Sequence, residues 1–452
     1  MILGKDACLE IASKVLNEAL KAGATQAEVT LINSTSYLTR FANSVIHQNV
    51  GEKTVNIILK TVIGKRISSV TANEITDEAI TNLVQTGIKL AKISEENPDF
   101  VSLPEPEPIP RITGLYVRET AECTAKRRAE IVKGIIDSAH SLSSKVDSVS
   151  GALTTTANEY CIVNSLGINA YTKLTAADVN VTVIAKEGDS EGFGYSEDIS
   201  RNVRNLNPEA LGVEAAERAV KSLNPKTLEP GEYEVILEPY AVQTALAYTA
   251  QGFSAEAYQN GMSFMNDVMG KKVMSENFTL WDDGTDKRGM AVPFDAEGVP
   301  KKKVILVEDG VPKGLVYDSF TAHKEGKKST GHSGRFAPMP SHMFIKPGDA
   351  TKEEMIKETK RGILVTYFHY VRTVHAKTIT ITGMTRNGTW YIENGEIKYP
   401  VKNLRFTDSM LKAYGNIDLI GKEVKVLGGI NNSVVVPPLK IRKFLFTGVT
   451  EF

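Results

Sequence analysis

The residues best equipped for chemistry in this 452-residue chain are its seven histidines, at 47, 140, 323, 332, 342, 369 and 375. None begins HExxH or HExxxH, the helical pairs that set two zinc ligands on one face with a glutamate base between them. His323, His332 and His342 follow one another at spacings of nine and ten. A divergent metal site built from them therefore needs a fold that draws distant segments together. In HYVRTVH, His369 and His375 share one face of a β-like run but stand about 20 Å apart at the rise of a strand.

Two further stretches invite a catalytic reading. STGHSGR (329–335) approaches the nucleophile elbow G-x-S-x-G around Ser333, but Arg335 takes the last glycine position and no strand-to-helix context surrounds it. Ser329, Thr330 and His332 are expected instead to form a polar glycine turn that could line a groove. WDDGTDKRGMAVPFDAEGVPKKK (281–303) is acidic and glycine-rich. Its Asp282, Asp283 and Asp286 lack the alternation of a calcium loop, and no phosphate-cradling glycine motif occurs there. Turn-rich hairpins on the surface are the expectation for it.

The elements around these residues fall into two parts. An amphipathic helix with Leu9, Ile11, Ala12, Val15, Leu16 and Leu20 on one face opens the chain. Alternating strands follow, then a helix near 76–94. The same order returns after 111, ending in a helix near 208–222, and FANSVIHQN (41–49) parallels IVNSLGIN (162–169). The pattern reads as two α-β-β-β-β-α-like halves, 1–101 and 111–222, related by duplication and joined by the proline-rich linker 102–110. Asn43-Ser44 and Asn164-Ser165 read as turns. From 232 to 452 the chain becomes a mostly antiparallel β domain, sandwich- or barrel-like, with a few helices near 239–259 and 350–362. Asp309-Gly310 and Asn394-Gly395 mark two of its hairpins. The fold class expected is α+β.

Composition narrows the function classes. Lys and Arg number 53 against 54 Asp and Glu, which gives no electrostatic reason to expect nucleic acid or an anionic membrane surface. Three distant cysteines form no CxxC and no paired framework, so a reducing cytoplasm is expected. No run approaches the length of a membrane span.

Several segments, in order, carry a resemblance: FSAEAYQNGMSF (253–264), WDDGT (281–285), PFDAEGVP (293–300), VEDGVPKGLVYD (307–318), TAHKEGKKSTGHSG (321–334), YIENGEIKYPV (391–401) and LRFTDSMLKAYGNIDLIG (404–421). Together they resemble the TldD/PmbA family of zinc metallopeptidases, and its TldE (PmbA) branch in particular. The resemblance implies a dimeric protein in which a TldD-type subunit carries zinc on HExxxH and hydrolyses unfolded or modified peptides, while the TldE-type subunit pairs with it and lacks the motif. Laying that helix on this chain puts the ligand and base positions on Leu246, Ala247 and Gln251. A hydrocarbon, a methyl and a neutral amide cannot do the work of a zinc ligand or a proton acceptor. LGGINNS (427–433), where the family has a cysteine, offers no ligand either. The resemblance thus implies no catalytic residue and no metal in this chain, with zinc in a TldD-type partner and a peptide as substrate. Phe253, Glu256 and Tyr258 stand as groove or interface residues beside the former ligand helix. Two other readings remain: a stand-alone homodimeric peptide-binding modulator of the kind once described for DNA gyrase, and a self-contained peptidase with the divergent histidine site.

Overall fold

In the computed structural model, which describes residues 2–334 and 336–450, two bodies pack against each other. The first is one six-stranded antiparallel sheet. Its strands are β1 (Gln26–Ala42), β2 (Val45–Ile63), β3 (Arg66–Ala72), β4 (Val146–Asn164), β5 (Asn169–Glu187) and β6 (Ser190–Ser200), ordered β3-β2-β1-β4-β5-β6. The two halves join through β1 and β4, which pair from Glu28 with Asn164 to Phe41 with Gly151. Each half holds three strands rather than the four expected, because strands of 17 and 19 residues read in sequence as two apiece. Asn43 and Ser44, at φ 50° and 62°, make the tight β1–β2 turn.

Helices cover one face of this sheet. α1 (Lys5–Lys21) and α2 (Asp77–Ile93) bury their apolar stripes on Val29, Leu31, Ile57 and Leu59. The four-residue α3 (Arg118–Ala121) leads into α4 (Ala125–Leu142), which with α5 (Pro208–Lys221) packs on Val179, Val181 and Val183. Alternation along the strands puts Ser34, Thr154, Asn158, Asp178 and Glu197 on the opposite face, which looks toward the second body.

The second body holds two sheets. A barrel-like sheet orders β12 (Arg361–His375), β7 (Gly231–Leu237), β19 (Leu439–Val449), β15 (Leu404–Ser409), β13 (Thr380–Glu393) and β14 (Glu396–Pro400), and β12 closes back onto β13. β16 (Ile417–Ile420) pairs with β19. The other sheet orders β10 (Val311–Pro312), β9 (Val304–Glu308), β8 (Leu280–Asp282), β11 (His342–Ile345), β18 (Asn432–Val436) and β17 (Lys425–Gly429). Pairing is antiparallel except at β7–β12 and β11–β18. The helices are α6 (Pro239–Ala250), α7 (Ala255–Gln259), α8 (Met265–Val268), α9 (Ser319–Lys324), α10 (Lys352–Lys357) and α11 (Met410–Gly415). The helix expected over 350–362 stops at Lys357, and Arg361-Gly362 already starts β12 in register with Glu234 of β7. α6 lies among β7, β12, β17 and β18, with Tyr240, Ala245 and Leu246 in the main core.

Segments 102–116 and 283–300 tie the bodies together. The proline-rich stretch has no regular structure but is not free: Leu103 is buried, and the Pro104 carbonyl accepts from Asn164 Nδ2 at 2.8 Å. Leu115 and Leu174 pack on Ala291 and Val292, while Ile162, Ile168 and Ala170 pack on Phe294. The stretch 281–303 is therefore not a set of surface hairpins. It is a strap whose apolar residues dock the first sheet and whose Asp282, Asp295, Glu297 and Lys301 are buried.

Candidate functional site

The ligand positions implied by the sequence lie at the C-terminal end of α6. Leu246 is fully buried in the core, whereas Ala247 and Gln251 are exposed on one face, four residues apart. Tyr248 beside them donates its hydroxyl to the Val371 carbonyl of β12. α6 also adjoins β17 and β18, so the 427–433 hairpin lies beside this helix. No group of three His, Cys, Asp or Glu side chains among the described residues is arranged to hold a metal ion.

Between the inner face of the first sheet and β17 a cavity of about 120 Å³ is lined by Asp178, Asn180, Glu197, Asp198, Leu427 and Gly428. Burial lifts the Asp178 carboxyl to about 6, with the nearby Glu197 charge adding to it. Burial also raises Glu197, although the Tyr195 hydroxyl and the Lys425 ammonium oppose the shift. Lys425 itself bonds the Tyr240 hydroxyl and, at 3.2 Å, Glu214. Behind them Glu238, at the start of α6, is gripped by Arg218 at 2.9 Å and Lys352 at 2.8 Å. Burial alone would raise its carboxyl, but the two cations hold it near 2. On the same open face Asn431 and Asn158 both donate to the Tyr160 hydroxyl, at 2.6 and 2.8 Å, and Ser34 donates to Asn158 Oδ1. Such a surface can hydrogen-bond a chain passing between sheet and hairpin.

The histidines have a different role. His332 Nε2 is 2.8 Å from Asp282 Oδ1, and its Nδ1 is 3.0 Å from the Thr330 hydroxyl. Burial and the Lys301 charge push the ring below its usual range, and its Nδ1 also lies 2.9 Å from the Thr330 carbonyl oxygen, to which it can only donate. His342 donates from Nε2 to the Met290 carbonyl at 2.9 Å, and its Nδ1 is 3.0 Å from Ser341 Oγ. Burial and Lys301 lower it to about 3. Asp282 Oδ2 accepts the backbone N–H groups of Ser341 and His342, both at 2.6 Å. Burial would raise this carboxyl, but His332 and Lys301 outweigh it and hold it well below the carboxylate range. Every nitrogen of these two rings is committed, and His323 lies away from them near the end of α9.

Ser333 does not meet His332. Its backbone N–H donates to Asp295 Oδ2 at 2.8 Å, and Arg335 lies outside the described residues. Ser329 is buried and donates to the Tyr317 carbonyl, as does Thr330, so the glycine turn is internal and lines no groove. Phe253 is a core residue, fully buried and edge-on to Phe264 at 5.2 Å. Tyr258 is partly buried against the same core, and Glu256 is half-buried on α7. The sequence reading missed the buried set Asp282, Asp295, Glu297 and Lys301, the last bonded to Ser341 Oγ at 2.8 Å. Asp282, Glu297 and Lys301 find their side-chain partners tens of residues away, which local spacing does not report.

Family models decide the lineage. One describing the PmbA/TldA metallopeptidase C-terminal domain matches residues 230–448, and one describing its central domain matches residues 118–223. The chain belongs to the PmbA/TldD metallopeptidase family. It is 27% identical to metalloprotease PmbA of Escherichia coli O157:H7, over 59% of this chain and 58% of that protein. The match thus spans less than two thirds of that relative. A metalloprotease PmbA homologue of Haemophilus influenzae is 23% identical over 94% of this chain and 93% of its own length. The fold coincides with the crystal structure of TldE from Thermococcus kodakarensis at a TM-score of 0.86 and 21% identity, covering 97% of this chain and all of that one. It also matches a Thermotoga maritima protein named as a candidate modulator of a DNA gyrase, at a TM-score of 0.88 and 21% identity, covering 97% and 99%. No helix among the described residues is long and apolar enough to cross a membrane.

Proposed function

We propose that this chain is the TldE-type, non-catalytic subunit of a two-chain metallopeptidase, pairing with a TldD-type subunit that supplies the zinc and acting in the cytoplasm on unfolded or modified peptides. One observation carries the reading. At the end of α6, beside the 427–433 hairpin, the exposed positions where the resemblance puts a base and a ligand are Ala247 and Gln251. These residues do not fit a zinc ion, which takes thiolate, imidazole or carboxylate donors. No hydrolytic step runs through this chain.

Its contribution is to positioning. The Tyr160, Asn158 and Asn431 cluster supplies side-chain hydrogen bonds to an extended peptide. Such contacts, like backbone pairing, tolerate varied sequence. Co-expression with a paralogue bearing HExxxH tests this. The pair should cleave an unfolded peptide in a reaction that EDTA stops, and the chain alone should be inert. An inert pair, or peptidase activity from the chain alone, contradicts the proposal.

A further inference from the structure

A second cleft lies in the first body, lined by residues of β3, α2 and the turn between them. It has a volume of about 450 Å³ and runs between β3, the edge strand of the first sheet, and α2. Val70, Ala72 and Leu83 give it an apolar floor, with Glu74, Glu78 and Asn82 along the rim. The volume is in the range of clefts that take small ligands, roughly 300–1,000 Å³.

β3 pairs with β2 on one side only, from Ile57 with Ala72 to Ile63 with Arg66. The other side is covered only at its start, where Arg66 bridges Glu96 and the Asn97 N–H bonds the Lys65 carbonyl. From Ser68 to Asn73 no backbone group bonds anything but β2 among the described residues. This stretch, about 20 Å long at the strand rise, is an open ladder beside a helix. An added strand would satisfy the outward N–H and C=O groups while its side chains alternate between the α2 flank and solvent.

The cleft also selects by charge. Glu74 and Glu78 line it, no lysine or arginine among the described residues does, and the nearby Lys14 is held by Asp77. A second copy of this strand would bring in its own Glu74, so self-pairing is opposed. We propose that the β3–α2 cleft binds an extended, lysine- or arginine-bearing peptide segment by strand addition. This proposal stands independently of the two-subunit reading, since the cleft is formed wholly within one chain.

The test uses the full chain and a short, labelled, end-blocked peptide of alternating Lys and Val. Its controls are a Glu–Val counterpart and a Lys–Val version with alternate backbone nitrogens methylated. Fluorescence anisotropy should show saturable binding of the first, none of the Glu–Val peptide, and roughly tenfold weaker binding of the methylated peptide, as expected for loss of one or two net hydrogen bonds. Glu74→Gln/Glu78→Gln, both exposed positions, should weaken binding severalfold. Hydrogen exchange should slow at 68–73 when peptide is added. Equal binding of the methylated peptide, an unaffected double variant, or protection elsewhere overturns the proposal. So does a concentration-dependent homodimer that occupies the β3 edge in the absence of peptide.

Discussion

His332 Nε2 sits 2.8 Å from Asp282 Oδ1, and both side chains have no solvent contact. The pair looks like two members of a hydrolytic triad, but the remaining ring nitrogen faces Thr330 within the same turn, and the second Asp282 oxygen is filled by two backbone N–H groups. Its work is to fasten β8 to the 329–342 segment. Asp282→Ala strands the imidazole, the Lys301 charge and two amides, and should cost about 3–5 kcal/mol in urea unfolding. His332→Gln keeps one partner and should cost less. Full stability with abolished activity in either variant would point to catalysis instead.

Glu297 gives a pH dependence of a definite sign. It is buried, accepting from the Ser319 N–H at 3.0 Å and hydroxyl at 2.8 Å. Burial lifts its carboxyl, the charges of Asp295, Glu28 and Asp318 add to the shift, and Lys60 opposes it. Asp295 accepts three backbone N–H groups, which favours its ionised form, so Glu297 holds the proton. A carboxyl raised in the folded state binds protons more tightly there than when unfolded. Its stabilisation is complete below the ordinary carboxylate range and is lost as pH rises through the folded value. Asp282, depressed in the fold, acts oppositely and loses its contribution as pH falls. Unfolding free energy should decline from about pH 5 to pH 8 in the native chain, and Glu297→Gln should flatten that decline. An unchanged slope in the variant contradicts this assignment.

Arg201 clasps three backbone carbonyls, Thr175 and Ala291 at 2.8 Å and Ile430 at 3.1 Å, across the junction of the two bodies. Lysine cannot match that planar fork. Arg201→Lys should cost about 1–3 kcal/mol and speed amide exchange at 427–433, read by mass spectrometry.

Gly194 lets β6 touch α5, since a Cβ there would stand 1.9 Å from the Ala215 carbonyl oxygen. Gly194→Ala should cost about 1–3 kcal/mol or more by overpacking, visible as a lower unfolding midpoint. Asp189→Ala, at an exposed turn, should be nearly silent.

Local signals made much of the architecture legible. α2 and α5 lie almost where periodicity put them, and the Asp309-Gly310 and Asn394-Gly395 turns adopt the positive φ their residues favour. The helix at 350–362 was overstated because β12 pairing with β7 claims Arg361 onward, a contact over a hundred residues distant in sequence. The strap 281–303 misled most. Charge and glycine ordinarily mean surface, yet Asp282, Asp295 and Lys301 are buried with hydrogen bonds to His332, the Ser333 amide and Ser341, none of them nearby in sequence. Of the site residues, Ala247 and Gln251 are exposed, but Phe253 and the 329–332 turn went to the interior because apolar packing and the Tyr317 carbonyl claimed them.

The most direct measurement is zinc content after dialysis, on the purified chain alone and on its complex with an HExxxH-bearing partner. The complex should retain zinc and lose it when the partner's motif is mutated, while this chain alone retains none. Tightly held zinc in the solitary chain, lost on replacing His332 or His342, would contradict the claim that its own residues cannot hold the metal.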